Sequence, residues 1–394
     1  MSKKKIFFLI GYICIILFFS FLYFNYYYYR TLEPENSKFQ RGITYAAFDD
    51  DLLLDEEEYD NIDKMLDLGA NWVSIVPIWY QESDTSINIK SDEEVTPSDK
   101  SIRELMQYLH KKDKNVLLKP MVDSNDETWR AEFEPSNWSL WFKSYQSFIW
   151  HYAEIAQQEN VELFCVGCEY KSSDETHYYN WSKTIEGIRS LYIGDIIYAA
   201  DWSNYEDVCF WDLVDYIGID SYFPLYYHDF LIPGIQDLTK GWNDALDDIE
   251  NWLEDSNFND KKVIFTEVGY ESQPKCWESP GYTGKKEIDV FAQDMCYKAL
   301  FSSVPNRSWM KGMFIWWWDN PSTHDNGGGL LNNGWTPNGK PAEETITNYY
   351  KKYLNQKPKE QDVFIGLILA FCILSTTIIF IIIIEEKKKY HQMF

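Results

Sequence analysis

The sequence predicts an α/β fold, a (β/α)8 TIM barrel flanked by N- and C-terminal transmembrane helices. Three observations predict the barrel. Eight short apolar runs alternate with amphipathic stretches between Arg41 and Leu354, the pattern of parallel strands joined by crossover helices. No Gly-x-Gly-x-x-Gly follows the first run, so an open dinucleotide-binding sheet loses its main support, and eight such units most often close into a barrel. Glu169 and Glu267 end the fourth and seventh runs, and barrel enzymes carry their chemistry at C-terminal strand ends.

The elements read in order as follows. Gly42 to Ala46 is the first strand, and Asp55 to Leu68 is a helix with Ile62, Met65 and Leu66 on one face. Asn71 to Ile78 is the second strand and Ile102 to His110 a helix; the polar segment Asp84 to Lys100 between them reads as a loop over the barrel mouth. Asn115 to Pro120 is the third strand, and Trp141 to Gln157 a long helix. Leu163 to Cys168 is the fourth strand, Tyr179 to Ser190 a helix, Asp195 to Ala200 the fifth strand and Leu213 to Asp220 the sixth. Trp242 to Leu253 is a helix, Val263 to Thr266 the seventh strand and Val290 to Leu300 a helix. Gly312 to Trp318 is the eighth strand, and the helix Glu343 to Leu354 closes the domain, which spans 38–356.

The ends differ in kind. Ile6 to Phe24 and Val363 to Ile384 are uncharged and apolar, each near the roughly 20 residues a helix needs to cross a bilayer. Lys3, Lys4 and Lys5 precede the first, and Lys387, Lys388 and Lys389 follow the second. The positive-inside tendency then puts both termini in the cytosol and the domain between them in a lumen or outside the cell. Residues 1–30 read as a signal-anchor rather than a cleaved signal peptide, because no small-x-small site follows the apolar stretch. Residues 357–362 are a charged linker, and 385–394 form a cytosolic tail.

Net charge is −26, and residues 31–384 carry −31. Nucleic acid needs a basic face, so it is excluded as a partner; a neutral ligand fits. The aromatic share of 18%, with 17 Trp and 29 Tyr, exceeds what a core alone asks for and suits surfaces that stack on sugar rings. Asn137-Trp138-Ser139, Asn180-Trp181-Ser182 and Asn306-Arg307-Ser308 match the glycosylation acceptor pattern. Five of the seven Cys lie between the apolar ends. Cys276 and Cys296 are a candidate disulfide. Cys165 and Cys168 have the spacing of a redox or metal pair, yet positions i and i+3 of a strand face opposite ways. A zinc site also lacks further ligands, so no metal and no cofactor is expected.

A carboxylate at the end of an apolar strand is costly to bury. One such Glu reads as a structural charge paired to an arginine. Two, at strands four and seven, read as a catalytic pair. Hydrolysis of a glycoside needs one carboxylic acid to protonate the leaving oxygen, and one carboxylate to attack or to activate water on the other face. The acid needs a raised pKa and its partner an ordinary one.

The arrangement resembles the retaining barrel glycosidases with acid/base on strand four and nucleophile on strand seven. Within that group it is most similar to family 113 glycoside hydrolases, whose characterised members are β-mannanases. The likeness runs from about Arg41 to Tyr350 and is carried by Arg41-Gly42-Ile43, Leu118-Lys119-Pro120, Thr128-Trp129-Arg130, Val166-Gly167-Cys168-Glu169, Tyr198-Ala199-Ala200-Asp201-Trp202, Asp220-Ser221-Tyr222-Phe223-Pro224-Leu225, Phe265-Thr266-Glu267-Val268-Gly269-Tyr270 and Phe314-Ile315-Trp316-Trp317-Trp318. The resemblance implies that Glu169 is the acid/base and Glu267 the nucleophile. It makes Tyr222 a donor to the nucleophile or else a rim tyrosine in water. It makes Trp318 a sugar-stacking platform, ahead of Trp316 and Trp317, with barrel filling as the other reading of the Trp run. Trp129 and Arg130 look like a subsite loop, with a surface ion pair as the other reading of Arg130. Lys119 and Asp201 are candidates for hydrogen bonds to sugar hydroxyls. One departure is Cys168, where many relatives have an Asn that holds the sugar 2-hydroxyl; a thiol is a poor donor.

The expected activity is that of a membrane-tethered retaining β-glycoside hydrolase, mannan endo-1,4-β-mannosidase-like, acting on an oligo- or polysaccharide. Two alternatives use the same scaffold: a catalytically silent carbohydrate-binding barrel, and a transglycosylase with sugar as acceptor.

Overall fold

Eight parallel β-strands close into a barrel, the arrangement that alternating apolar strands and crossover helices favour. The computed structural model describes residues 39–45, 56–227, 232–281, 284, 287–319 and 328–354. In chain order the elements are β1 (Gln40–Tyr45), α1 (Glu56–Leu66), β2 (Trp72–Ile75), β3 (Ile78–Gln81), α2 (Asp99–Lys111), β4 (Asn115–Leu118), β5 (Met121–Ser124), α3 (Trp138–Glu159), β6 (Leu163–Cys168), α4 (Lys171–Asp174), α5 (Tyr178–Leu191), β7 (Asp195–Asp201), β8 (Tyr216–Asp220), α6 (Ile235–Asp255), β9 (Val263–Val268), α7 (Val290–Ser303), β10 (Met310–Trp318) and α8 (Pro341–Leu354). The closed sheet runs β1-β10-β9-β8-β7-β6-β4-β2, so β6 and β9 are the fourth and seventh barrel strands.

The second and third apolar runs differ from expectation. Each splits at a proline, Pro77 or Pro120, which offers no N–H to the ladder. Beyond the break, β3 and β5 leave the barrel and pair with each other in parallel, from Ile78 opposite Met121 to Gln81 opposite Ser124. The segment 84–100 follows β3 at the C-terminal side of the sheet and bridges back to it, Tyr80 opposite Lys90. Ile89 is buried and its N–H donates to Ser144 Oγ on α3 at 2.8 Å, while Thr96 donates to Ile78 O at 2.7 Å. The segment therefore packs back on the helix layer.

Helix starts follow capping chemistry. Ser98 accepts from the Ser101 N–H and Asn137 from the Leu140 N–H, each satisfying a free donor of the first turn. Asn137 caps α3, which starts at Trp138, three residues before the expected start at Trp141. On α2, Ile102, Leu105, Met106 and Leu109 are buried, the i, i+3, i+4, i+7 face that packs on the sheet. An aromatic layer fills the space behind β6 and β7. Trp141 stacks on Tyr145 with centroids 5.0 Å apart, and Trp181 stacks on Phe210 at 4.9 Å. Much of the aromatic share is thus core. Inside the barrel, Phe314 lies over Gly42, where a Cβ would come within 2.2 Å of the ring.

Between β6 and β7 the register jumps from Cys165 opposite Ile197 to Cys168 opposite Ala199. This bulge adds a residue to β6, and Cys165 and Cys168 both join the barrel-interior cluster. The opposite-face expectation fails because the bulge resets the alternation. Cys276 and Cys296 do meet, with sulfurs 3.7 Å apart as free thiols.

Residues 39–352 form one compact unit. Among the described residues no helix is long and apolar enough to cross a membrane. The two apolar runs read as membrane spans, 6–24 and 363–384, lie outside the described residues, as do 357–362 and 385–394.

Candidate active site

Glu169 and Glu267 open into one cavity of about 520 Å³ at the C-terminal ends of the strands. Trp129, Arg130, Asp201, Tyr222, Trp316, Trp317 and Trp335 share its wall. The cavity thus holds six of the eight residues singled out from the sequence, drawn from loops and strand ends spread over half the barrel.

Each glutamate is aimed by a local irregularity. Glu169 follows the last residue of β6 in the left-handed region, with φ 57°, a conformation non-glycine residues seldom adopt and one concentrated at functional sites. Its N–H donates to Ala199 O at 2.8 Å, which keeps the turn tied to β7. Glu267 lies at a second bulge, where Ile219 pairs with Phe265 but Asp220 pairs with Glu267. The skipped residue, Thr266, donates to Asp220 Oδ1 at 2.7 Å.

Around Glu267 every donor is buried. Lys119, at the end of β4, donates to Glu267 Oε1 and, at 3.0 Å, to both oxygens of Asp220. Tyr222 donates to Glu267 Oε2 at 2.6 Å. Lys119 is 0% exposed. Its Nζ lies beneath the cavity, so it reaches the nucleophile candidate and Asp220 rather than sugar hydroxyls, contrary to expectation. Cys168 Sγ donates to Asp220 Oδ2 at 3.3 Å. The ligand atoms of Cys168, Asp220 and Glu267 lie within 4.8 Å of one another, and the positive charge among them is the Lys119 ammonium. Cys168 points under the site, so it takes no place beside a sugar 2-hydroxyl.

Glu169 has a different environment. Its Oε2 accepts from Trp129 Nε1 at 3.1 Å and from Arg130 at 2.8 Å. Its Oε1 accepts no hydrogen bond from the described residues. Arg130 also donates to Asp123 Oδ1 at 2.6 Å, so it forms a partly buried bridge between two carboxylates at the cavity wall. Asp201 lines the cavity while its Oδ1 accepts from the Ser203 N–H at 3.0 Å.

Trp318 is a correction. Its ring is 0% exposed, and its Nε1 donates to Asn61 Oδ1 at 3.0 Å. It lies in the core between barrel and helices and has no face to offer a sugar. Trp316 and Trp317 line the cavity instead. Trp317 stacks on Trp335 with centroids 6.1 Å apart. Trp318→Ala is expected to lower stability by about 3–5 kcal/mol, as large core truncations do, with KM unchanged; thermal unfolding and steady-state kinetics on the folded protein check this.

Burial pushes both glutamates up. Glu169 reaches about 7, with Asp220 repelling its charge and Arg130 opposing. Burial and Asp220 push Glu267 up as well, and the Lys119 ammonium opposes them by holding its charged form. Asp174, buried behind β6, is pushed up to about 7, chiefly by burial, against hydrogen bonds from Tyr198 and Asn204. These folded values lie above those of the unfolded chain. The native state therefore keeps protons that the unfolded chain has already lost between about pH 4 and pH 7. For Glu169 and Asp174 this stabilisation is full below about pH 4 and lost as pH rises through about 7. The unfolding midpoint is expected to fall from pH 5 to pH 8, and Asp174→Asn to flatten part of that slope, in a thermal melt series.

The sequence reading gave no role to Asp220, Asp123 or Trp335. Asp220 carried a signal: it ends an apolar strand as Glu267 does, and it stands in a quoted motif. Trp335 carried none. It reaches the cavity because Gln293 donates to its carbonyl at 2.9 Å and Lys340 to the Gly334 carbonyl at 2.8 Å, which hold the loop against α7.

Comparison with known proteins follows the same lines. The model of Glycoside Hydrolase Family 113 matches residues 51–340. A solved GH113 β-1,4-mannanase aligns with a TM-score of 0.70 at 27% identity, over 79% of this chain and 99% of that one. The GH113 β-mannanase AaManA from Alicyclobacillus acidocaldarius, solved in complex with ManMIm, aligns with a TM-score of 0.71 at 26% identity, over 80% of this chain and 98% of that one. A GH2 β-galacturonidase from Eisenbergiella tayi, at 15% identity and a TM-score of 0.51, shares the fold alone. No curated protein matches the chain. A family match over most of the barrel, together with two buried carboxyls in one aromatic cavity, means that this chain belongs to glycoside hydrolase family 113 and is a β-mannanase-like glycoside hydrolase.

Proposed function

We propose that this protein cleaves internal β-mannosidic bonds of mannan-like chains with retention, Glu169 serving as acid/base and Glu267 as nucleophile. One observation carries the role assignment. Both oxygens of Glu267 accept from donors, one of them a fully buried ammonium, whereas Glu169 keeps an oxygen with no partner among the described residues. Of two electrostatically coupled buried carboxyls, the one held by an ammonium and a phenol is the better placed to be the anion. Glu267 therefore carries the charge and Glu169 the proton.

Glycosylation then begins with Glu169 giving its proton to the glycosidic oxygen while Glu267 attacks the anomeric carbon. Charge leaves Glu267 as the glycosyl-enzyme ester forms. The Lys119 ammonium and Asp220 remain paired beneath it, so no unpaired ion is left buried. Glu169, now a carboxylate beside Arg130, takes a proton from water, which attacks the anomeric carbon and frees Glu267. Trp316, Trp317 and Trp335 offer ring faces to the sugar. The reducing end newly formed when water cleaves the glycosyl-enzyme is expected to be the β-anomer, read by proton NMR early in the reaction; an α-anomer would overturn the assignment of Glu267 as nucleophile.

Trp317→Ala is expected to raise KM for mannan up to about tenfold, the loss of about 0.5–1.5 kcal/mol from an aromatic contact, with kcat within about threefold.

The apolar runs 6–24 and 363–384 and their flanking lysines support a domain tethered at both ends, lumenal or extracellular, with both termini cytosolic. Protease protection of tags on both termini in sealed vesicles, with the barrel accessible from the other side, is the expected result. Extraction by salt without detergent would rule the tether out.

A further inference from the structure

Asp174 is a buried carboxyl with no part in the reaction described above. It lies at the end of α4, 0% exposed, directly behind the turn that bears Glu169. Asn204 Nδ2 donates to its Oδ1 at 3.1 Å. Tyr198, also 0% exposed, donates its hydroxyl proton to Oδ2 at 2.7 Å. The same Tyr198 oxygen accepts the Tyr170 N–H at 2.9 Å.

A phenol has one proton and two lone pairs. Once the proton is committed to Asp174, the lone pairs face the Tyr170 N–H. The Glu169–Tyr170 peptide is then held from behind by Tyr198, while the Glu169 N–H is held by Ala199 O. Those two bonds clamp the backbone on both sides of the left-handed residue. Gly167 lets the clamp close: a Cβ there would sit 3.0 Å from the Tyr198 ring and 2.9 Å from Trp181. A buried acid with no cation against it costs stability that an apolar pair would not. What it adds here is the direction of one hydroxyl proton.

We propose that Asp174 is a positioning residue, fixing the carboxyl of Glu169 in the cavity through Tyr198 and the Tyr170 N–H. The proposal rests on Glu169 being the acid/base. It predicts a signature that a merely structural residue would not show. A misplaced acid harms cleavage of a basic leaving group, which needs the proton. It spares an activated one, which does not.

The test is kcat/KM of Tyr198→Phe, Asp174→Leu and Asp174→Asn on mannotetraose and on dinitrophenyl β-mannoside. Tyr198→Phe and Asp174→Leu are expected to lose roughly 10- to 100-fold on mannotetraose, the scale of a misplacement near 1 Å, and less than about threefold on the aryl substrate. Asp174→Asn keeps an acceptor for Tyr198 and is expected to stay within about threefold on both. Tyr198→Phe keeps the ring and carries the test should Asp174→Leu fail to fold. Equal losses on both substrates, or none, overturn the proposal. Hydrogen exchange at the Tyr170 amide, expected to speed up in Tyr198→Phe, provides a readout without turnover. A wild type that cleaves neither substrate would defeat the proposed function, and this exchange would still decide whether Tyr198 clamps the turn; an unchanged rate overturns the proposal.

Discussion

Glu267→Ala is expected to lower kcat on mannan by at least about a thousandfold, a loss near 4 kcal/mol in transition-state stabilisation. Glu267 is the nucleophile of the proposed reaction, and its replacement leaves no oxygen there for the glycosyl-enzyme ester. Oligosaccharide affinity is expected to change little, because the stacking walls formed by Trp316, Trp317 and Trp335 are untouched. Calorimetric titration with mannotetraose alongside the assay separates three outcomes. Binding kept with activity lost supports a hydrolase. Binding kept in both proteins, with no cleavage by either, would make the barrel a carbohydrate-binding module. Oligosaccharides longer than the substrate would point to sugar as acceptor.

Lys119→Met has the second largest expected effect, and it acts on stability and chemistry together. Lys119 is the ammonium shared by two buried carboxylates, Asp220 and Glu267. Removing it leaves two anions facing each other in a site without solvent. Breaking a buried pair in this way costs about 3–5 kcal/mol, which corresponds to a midpoint lowered by roughly 10 °C in a domain this large. The carboxyls relieve the strain by taking up protons. Glu267 is then protonated at neutral pH, and the nucleophile is lost until pH is raised. The acid limb of the pH–activity profile is therefore expected to move upward, with kcat at pH 7 reduced at least about a hundredfold. The double replacement Lys119→Met with Asp220→Asn removes one of the stranded charges. It should recover part of the stability, and a double-mutant cycle by thermal unfolding measures the coupling. Additive losses would mean that the pair seen in the structure carries no coupling.

The barrel and the two glutamates that share its cavity were legible because their signals are local. An apolar run that ends in a glutamate is unusual wherever it occurs, and alternation with helical stretches counts strands without any contact being known. Tyr222, beside Pro224 at the end of β8, was legible by its place in a motif. Trp318 was misread because a run of three tryptophans does not say which ring faces the cavity. That depends on how β10 pairs with both neighbours, and each pairing carries a register shift near the end of the strand. Cys165 and Cys168 were assigned to opposite faces for the same reason: strict alternation was assumed where a bulge intervenes.

The sequence by itself determined that this chain closes a (β/α)8 barrel and brings two carboxyls to the ends of its fourth and seventh strands, since hydrophobic period and residue type suffice for both. Only the tertiary structure decided which of the two is paired with a buried ammonium and which rings line the cavity. Those outcomes rest on ion pairs between Lys119 and partners 101 and 148 residues away and on bulges that turn a side chain from one face of a strand to the other, and neither leaves a periodic trace along the chain.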